Sequence, residues 1–90
     1  MKDYKKEYIN YRIRRAKESF RVAQILFKED SFNSSVNRLY YSAFYIISAL
    51  LLKFGYSSSK HTGVRALFIQ HFIKKELIPK KYGKLYKLLF

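Results

Sequence analysis

The sequence predicts an all-α fold, an up-and-down antiparallel bundle of three to four helices with a long buried central helix. The chain has 90 residues, so residues 1–90 are expected to form one helical domain. Apolar residues are 49% of the chain and charged residues 28%, which is typical of a folded protein. Three Gly and one Pro are too few for the turns of an all-β chain.

The first helix is predicted over residues 4–28, with Asp3 as its N-cap and Glu7 in its first turn. An apolar stripe with spacings of three and four residues runs along it: Ile9, Ile13, Ala16, Phe20, Ala23 and Phe27. The cationic side chains lie largely off this stripe: Arg12, Arg14, Arg15, Lys17 and Arg21. They form either a solvated face or a basic strip that contacts phosphates.

The second helix is predicted to begin with Asn33 or Ser34 as its cap and to end at Gly55. Residues 39–52 carry no charge and are apolar on almost every side. This run of 14 residues is shorter than the roughly 20 that a membrane span needs, so a buried helix fits it better. A helix that is apolar all round must be covered all round, which places it at the centre of a bundle, of a dimer, or of both.

Two shorter helices are expected after a polar connection over residues 55–63. The third begins at Ser59 or Thr62 and weakens before Pro79, which ends or restarts a helix. One of its faces is apolar apart from a histidine: Val64, Leu67, Phe68, His71 and Phe72. The fourth begins near Lys80 and is still apolar at its end, so it needs cover from the bundle or from a second chain.

The charge and the missing residue types restrict the classes of function. The chain has 19 Lys and Arg against 6 Asp and Glu, a net charge of +13, which attracts polyanions such as RNA. A coding bias toward Lys, Tyr, Phe, Ile and Asn is an alternative explanation of the Lys excess. Cys is absent, so no thiolate site exists, and His61 and His71 lack acidic neighbours for a metal site. No metal and no cofactor are expected. The charged N-terminus lacks a following apolar segment, which predicts a cytoplasmic protein without a membrane partner.

A polar cluster at the start of the apolar helix is the candidate site. Arg38, Tyr41 and Tyr45 are three and four residues apart and therefore share a helix face, and Asn37 precedes them. An Arg at the mouth of a buried helix needs a partner or water. The alternative is that the tyrosines pack like Phe and send their hydroxyls to solvent.

The motifs around this cluster resemble the HEPN superfamily, and most closely its small uncharacterised prokaryotic branch. The similarity covers about residues 10 to 90, and the segments that carry it are residues 37–45, 50–52, 55, 60–64 and 67–68. The resemblance implies a helical bundle that dimerises through its central helices and is linked to RNA. It also implies a minimal nucleotidyltransferase as partner in a toxin–antitoxin or defence pair. Relatives carry a further helix after a segment like residues 85–90, so the chain is either a shortened member or covered there by a partner chain.

Some HEPN proteins are metal-independent ribonucleases with a paired Arg and His. The resemblance makes Arg38 the candidate Arg, but Tyr45 stands where the branch commonly has its His. Tyr has a pKa of about 10 and is a poor general base near neutrality. His61 matches a later family His, and histidine is the residue type suited to acid–base chemistry near neutrality, although His61 is expected in a loop. The catalytic candidates are therefore Arg38, His61 and Tyr45, and the binding candidates are Asn37, Arg38, Tyr41 and Lys60.

Several functions stay open on this basis. The first is an RNA-associated HEPN dimer, in which Lys and Arg capture RNA and Arg38 binds a phosphate. A non-catalytic interaction or dimerisation module is the main alternative. A ribonuclease is a lesser one, with Arg38 stabilising the phosphorane and His61 acting as acid or base. A membrane-surface protein using the basic first helix is a further one, although the central helix needs that helix's apolar stripe for cover.

Overall fold

A computed structural model describes residues 4–89 and confirms the all-α fold class. The helices are α1 (Tyr4–Lys28), α2 (Phe32–Lys53), α3 (His61–Phe68) and α4 (Lys80–Leu89). A short π-helical turn (Ile69–Ile73) extends α3. No β-strand occurs within these residues. None of the helices among them combines the length and the hydropathy that a membrane crossing requires.

The helix ends follow local signals, with one correction. α2 begins at Phe32 with Ser31 as its N-cap, not at Asn33 or Ser34. The reason is a tight turn, in which Asp30 adopts a φ of 61° and the Ser31 N–H donates to a carbonyl of the last turn of α1. Gly55 has the predicted left-handed conformation, with a φ of 86°. The Asp3 cap lies outside the described residues.

α1 and α2 pack as an antiparallel hairpin through small residues. The Ser35 hydroxyl donates to the Ala23 carbonyl at 2.7 Å, and the Ser42 hydroxyl donates to the Ala16 carbonyl at 2.8 Å. Ser35 and Ser42 are seven residues apart on α2, and Ala16 and Ala23 are seven residues apart on α1. The two hydrogen bonds therefore repeat after two helical turns. Ala23 is only 1% exposed. Small side chains let the backbones approach closely enough for these inter-helix hydrogen bonds.

This close approach corrects the predicted core stripe of α1. Ala16 and Ala23 are buried as expected, whereas Phe20 and Phe27 are 48% and 61% exposed. Large rings do not fit between helices that meet through Ala and Ser, so these two rings are displaced to the side of the hairpin. The stripe therefore buries its two alanines and leaves its two phenylalanines on the surface, while Ile9 and Ile13 are half-buried.

The main core lies on the side of α2 that faces away from α1. Its buried residues come from α2, α3, the π turn and α4: Ile47, Leu51, Val64, Phe68, Phe72, Ile73 and Tyr86. His61 lies against Phe44 in the middle of α2, and Phe72 lies against Phe54 beyond its end. α3 and the π turn therefore run in the same direction as α2, and residues 54–60 return the chain along it. α4 then packs on the π turn at Gly83, where an added Cβ would lie 3.3 Å from Ile73.

One side of α2 is left without cover inside the chain, which corrects the expectation of burial all round. Ile46 is 46% exposed and lies on an apolar cavity of about 450 Å³ between α1, α2 and α4. We call this side the apolar flank, and define it by residues at helical spacing on the two helices: Ile9, Ile13, Phe20 and Phe27 of α1, and Leu39, Ala43, Ile46 and Leu50 of α2.

Candidate functional site

The first half of α2 borders a cavity of about 470 Å³ that brings three of the predicted residues together. We call it the aromatic pocket, and its lining comes from α2, the start of α3 and the end of α4: Asn33, Val36, Asn37, Tyr40, Tyr41, His61 and Leu89. Asn37, Tyr41 and His61 were expected at a site from the sequence. No carboxylate lies in this lining.

His61 is held in one orientation by aromatic rings of α2. It is the first residue of α3, so the expected loop position is wrong. The connection needs only residues 54–60 to return the chain along α2, so α3 can start at His61. Lys60 is the N-cap residue of α3 and has an extended backbone conformation. The imidazole stacks on Phe44 at 4.4 Å between centroids, and its Nδ1 shares a hydrogen bond with the Tyr40 hydroxyl. Nε2 is therefore the ring nitrogen available to a ligand.

The Tyr40 phenol beside His61 stays neutral at physiological pH, because its pKa is raised. Burial is the main cause of the raised pKa of Tyr40, and Tyr41 adds to it, while the Arg65 cation opposes the rise. Burial also raises the pKa of Tyr86 to about 12. The Tyr86 hydroxyl is buried and has no hydrogen-bond partner within residues 4–89. These side chains therefore offer hydroxyl groups rather than negative charge.

Arg38 and Tyr45 lie outside the aromatic pocket. Arg38 is exposed on α2 and is absent from the pocket lining. Tyr45 contacts Arg15 of α1, whose guanidinium lies 5.5 Å from the centroid of the Tyr45 ring. The hydrogen bond and charge of Tyr45 are the main causes of a raised pKa of Arg15, which also bonds to Glu18 at 3.4 Å. The structure therefore pairs Tyr45 with α1, whereas His61 pairs with Tyr40 and Tyr41.

Two residues of the cluster were not singled out from the sequence. Tyr40 orients His61, and Arg65 acts electrostatically on Tyr40 and on Tyr86. A signal for Arg65 was present, because it lies four residues after His61 and so on the same face of α3. Tyr40 and His61 are 21 residues apart in the chain, so no helical spacing indicates that they are in contact. Lys60 is exposed beside the pocket, and its side chain does not line it.

The chemistry of the pocket suits a planar polar ligand. Two amides supply donors and acceptors, two phenols and an imidazole supply rings for stacking, and no acidic group repels an anion. Within the described part of the chain, no three His, Asp or Glu side chains lie close enough together to hold a metal ion. Hydrogen bonding and stacking are therefore the interactions that these side chains provide.

Comparisons with known proteins identify relatives over most of the chain. Residues 9–90 match the family model described as "HEPN domain". A Thermotoga maritima protein named "UPF0332 protein" is 45% identical over 86 residues, which are 96% of this chain and 65% of that protein. A Methanocaldococcus jannaschii protein named "Putative toxin" is 37% identical over 71 residues, 79% of this chain and 48% of its own length. A Gloeobacter violaceus "UPF0332 protein" is 42% identical over 65 residues, 72% of this chain and 52% of that protein. The chain thus spans between about half and two thirds of the length of these curated relatives. No solved structure matches it.

Proposed function

The chain belongs to the HEPN family, and from this membership we propose that it is an RNA-associated domain that acts as a homodimer in a toxin–antitoxin pair. Its partner in that pair is a minimal nucleotidyltransferase. The observation that carries the RNA association is the meeting of Asn37, Tyr41 and His61 at one open pocket in a chain of net charge +13.

RNA association follows from the charge and the rings together. The positive field attracts the phosphate backbone and raises the rate of encounter. Arg38 is exposed and directly follows Asn37, which lines the aromatic pocket. Its planar guanidinium can therefore bind a phosphate. Tyr41 and His61 then supply ring faces, and Asn37 an amide, for a base that is not paired in a duplex.

Homodimerisation is supported by the apolar flank. A surface of this kind, with Ile46 and Phe20 about half exposed, is typical of protein–protein contacts. Its residues recur every four or seven positions on α1 and every three or four on α2, and the same pattern on a second copy produces a four-helix packing. We therefore expect a two-fold contact in which α2 of each chain packs against the other chain.

The toxin–antitoxin role is supported by the relative whose name is "Putative toxin" and by the HEPN membership. The direct test is expression of the chain in a bacterial host, alone and together with a minimal nucleotidyltransferase. Growth arrest that the nucleotidyltransferase relieves is expected. Normal growth at high expression of the folded chain would argue against a toxin.

RNA association is tested by fluorescence anisotropy with a labelled single-stranded RNA in metal-free buffer. Arg38→Ala and Tyr41→Ala should weaken binding, while Lys5→Ala, an exposed cation at the N-terminal end of α1, should change it little, because that end lies away from the start of α2. Affinity should fall steeply between about 50 and 200 mM salt, because phosphate contacts release counterions. Flat affinity over this range, or no binding by the wild type, would favour the interaction module.

A ribonuclease is a second candidate because Tyr40 holds His61 in one orientation, as a positioned acid–base residue requires. In this reaction His61 would take the proton of a ribose 2′-hydroxyl as its oxygen attacks the adjacent phosphorus and the P–O5′ bond breaks. The leaving O5′ oxygen then takes a proton from a water molecule. The assay is RNA cleavage without metal by the wild type, Arg38→Ala and His61→Gln. Cleavage that survives both substitutions would eliminate the assigned residues.

A further inference from the structure

Another cavity, of about 370 Å³, lies between α3, the π turn and α4 and is cationic. Its lining contains three positive side chains and two polar ones among seven residues: Thr62, Arg65, Ala66, Ile69, Gln70, Lys74 and Lys87. No acidic residue lines it. We call it the cationic cavity.

The three cations reach the cationic cavity from separate parts of the fold. Arg65 comes from α3, Lys74 follows the π turn and Lys87 comes from α4. Within residues 4–89, neither lysine forms an ion pair. Like charges around one concavity repel each other, and an anion placed between them relieves that repulsion. Thr62 and Gln70 add neutral donors at the same place. The cavity therefore has the charge and the donors of a phosphate site.

The cationic cavity lies close to the aromatic pocket. Arg65 lines the cavity, and its cation acts on Tyr40, which lines the pocket. α3 and α4 both contribute to each lining, since His61 and Leu89 border the pocket while Thr62 and Lys87 border the cavity. A ligand with a ring at one end and a phosphate at the other is the kind of molecule that occupies both.

We propose that the cationic cavity binds a backbone phosphate of single-stranded RNA while a neighbouring unpaired base occupies the aromatic pocket. This inference rests on the proposed RNA association and names its substrate class and its second contact. A single strand is favoured over a duplex because the bases of a duplex are stacked and paired, so that none can enter a pocket lined by Tyr41 and His61.

The test is fluorescence anisotropy with a fluorescein-labelled single-stranded RNA of about ten nucleotides, a length comparable to known single-strand sites. The variant is the double substitution Lys74→Gln/Lys87→Gln. Its matched control is Lys75→Gln/Lys84→Gln, which removes the same charge from exposed neighbours that do not line the cavity. Affinities are measured between about 50 and 200 mM salt. A duplex of the same sequence and phosphatidylserine vesicles are the competing ligands.

Loss of this phosphate contact should reduce the slope of log affinity against log salt by about 0.7. If the affinities of variant and wild type converge at about 1 M salt, binding at about 0.1 M salt is weakened about 5-fold. The control should keep most of the wild-type slope, and the single strand should bind more tightly than the duplex and the vesicles. Equal slopes for variant and control would overturn the assignment of the cavity, and so would tighter binding of duplex or vesicles. A wild type that binds no RNA would overturn the proposed function as well.

Discussion

Replacing Tyr86 by Phe should stabilise the protein, and by more at alkaline pH than at neutral pH. Tyr86 is 2% exposed, and its hydroxyl has no hydrogen-bond partner within residues 4–89. A buried hydroxyl without a partner has lost its hydrogen bonds to water. Removal of that hydroxyl should therefore raise the free energy of unfolding at pH 7 by about 1 kcal/mol.

The larger difference in stability at alkaline pH follows from the pKa of Tyr86, which burial raises from 10.0 to about 12. Below pH 10 the hydroxyl is protonated in both states, so the shift contributes nothing to the pH dependence. Above pH 10 the unfolded chain loses this proton while the folded chain keeps it, so stability falls until about pH 12. A shift of about two units corresponds to a loss of roughly 2–3 kcal/mol across this window. Tyr86→Phe has no hydroxyl to ionise at this position, so its stability does not fall for this reason.

The assay is urea unfolding of the wild type and Tyr86→Phe at several pH values between 7 and 12, followed by circular dichroism. The difference in free energy of unfolding should widen from about 1 to about 3 kcal/mol. Tyr82→Phe is the control, because Tyr82 is 47% exposed and its substitution should change stability by less than about 0.5 kcal/mol. A difference that stays constant with pH, or a Tyr86→Phe variant less stable at pH 7, would refute the reasoning.

Three further substitutions test the packing that positions the pocket. Ser35→Ala should lower the free energy of unfolding by about 1 kcal/mol, since it removes the buried hydrogen bond from the Ser35 hydroxyl to the Ala23 carbonyl, whereas the exposed neighbour Ser34→Ala should change it little. Gly55→Ala should lower it by about 1 kcal/mol in the same urea assay, because its φ of 86° disfavours any side chain. Gly83→Leu should lower it by about 1–3 kcal/mol and weaken the docking of α4, because even a Cβ there meets Ile73 at 3.3 Å. Unchanged urea midpoints for any of these variants would contradict the corresponding contact.

The parts of the fold that depend on local chemistry were predictable from the sequence. The left-handed Gly55, the restart of a helix after Pro79 and the bounds of α1 each follow from signals within a few residues. The start of α2 was missed because a left-handed Asp30 shortens the turn, and Asp is only occasionally in that conformation.

The packing partner of each apolar residue was less predictable, because spacing records polarity and direction but not the distance between helices. Phe20 and Ala23 belong to one stripe, yet only Ala23 is in the core. The difference arises from the serines of α2, because the Ser35 and Ser42 hydroxyls donate hydrogen bonds to the α1 backbone. The close contact that these bonds require has room for Ala23 but not for Phe20. A stripe of small residues at seven-residue spacing was the available signal for this close contact.

Part of the membership of the candidate site was predictable from the sequence, whereas its assembly was not. Asn37, Tyr41 and His61 were all chosen from the sequence, and they line one pocket. Their meeting depends on the return of residues 54–60 along α2 and on the stacking of His61 on Phe44. Long-range contacts of this kind have no helical period, so the sequence did not indicate that Tyr40 rather than Tyr45 is the neighbour of His61.

Sedimentation velocity with a labelled single-stranded RNA tests the central claim most directly, because it reports the mass of the protein and the bound RNA together. The claim is that the apolar flank is covered by a second copy while the aromatic pocket stays open to RNA. The wild type should sediment as two 10.9 kDa chains carrying RNA, and Ile46→Glu should sediment as one chain. The control is Ile25→Glu, which changes a similarly exposed residue on the outer face of α1 and should remain a dimer. A wild type that sediments as a single chain at micromolar concentration, or a dimer from which the RNA separates at low salt, would contradict the account.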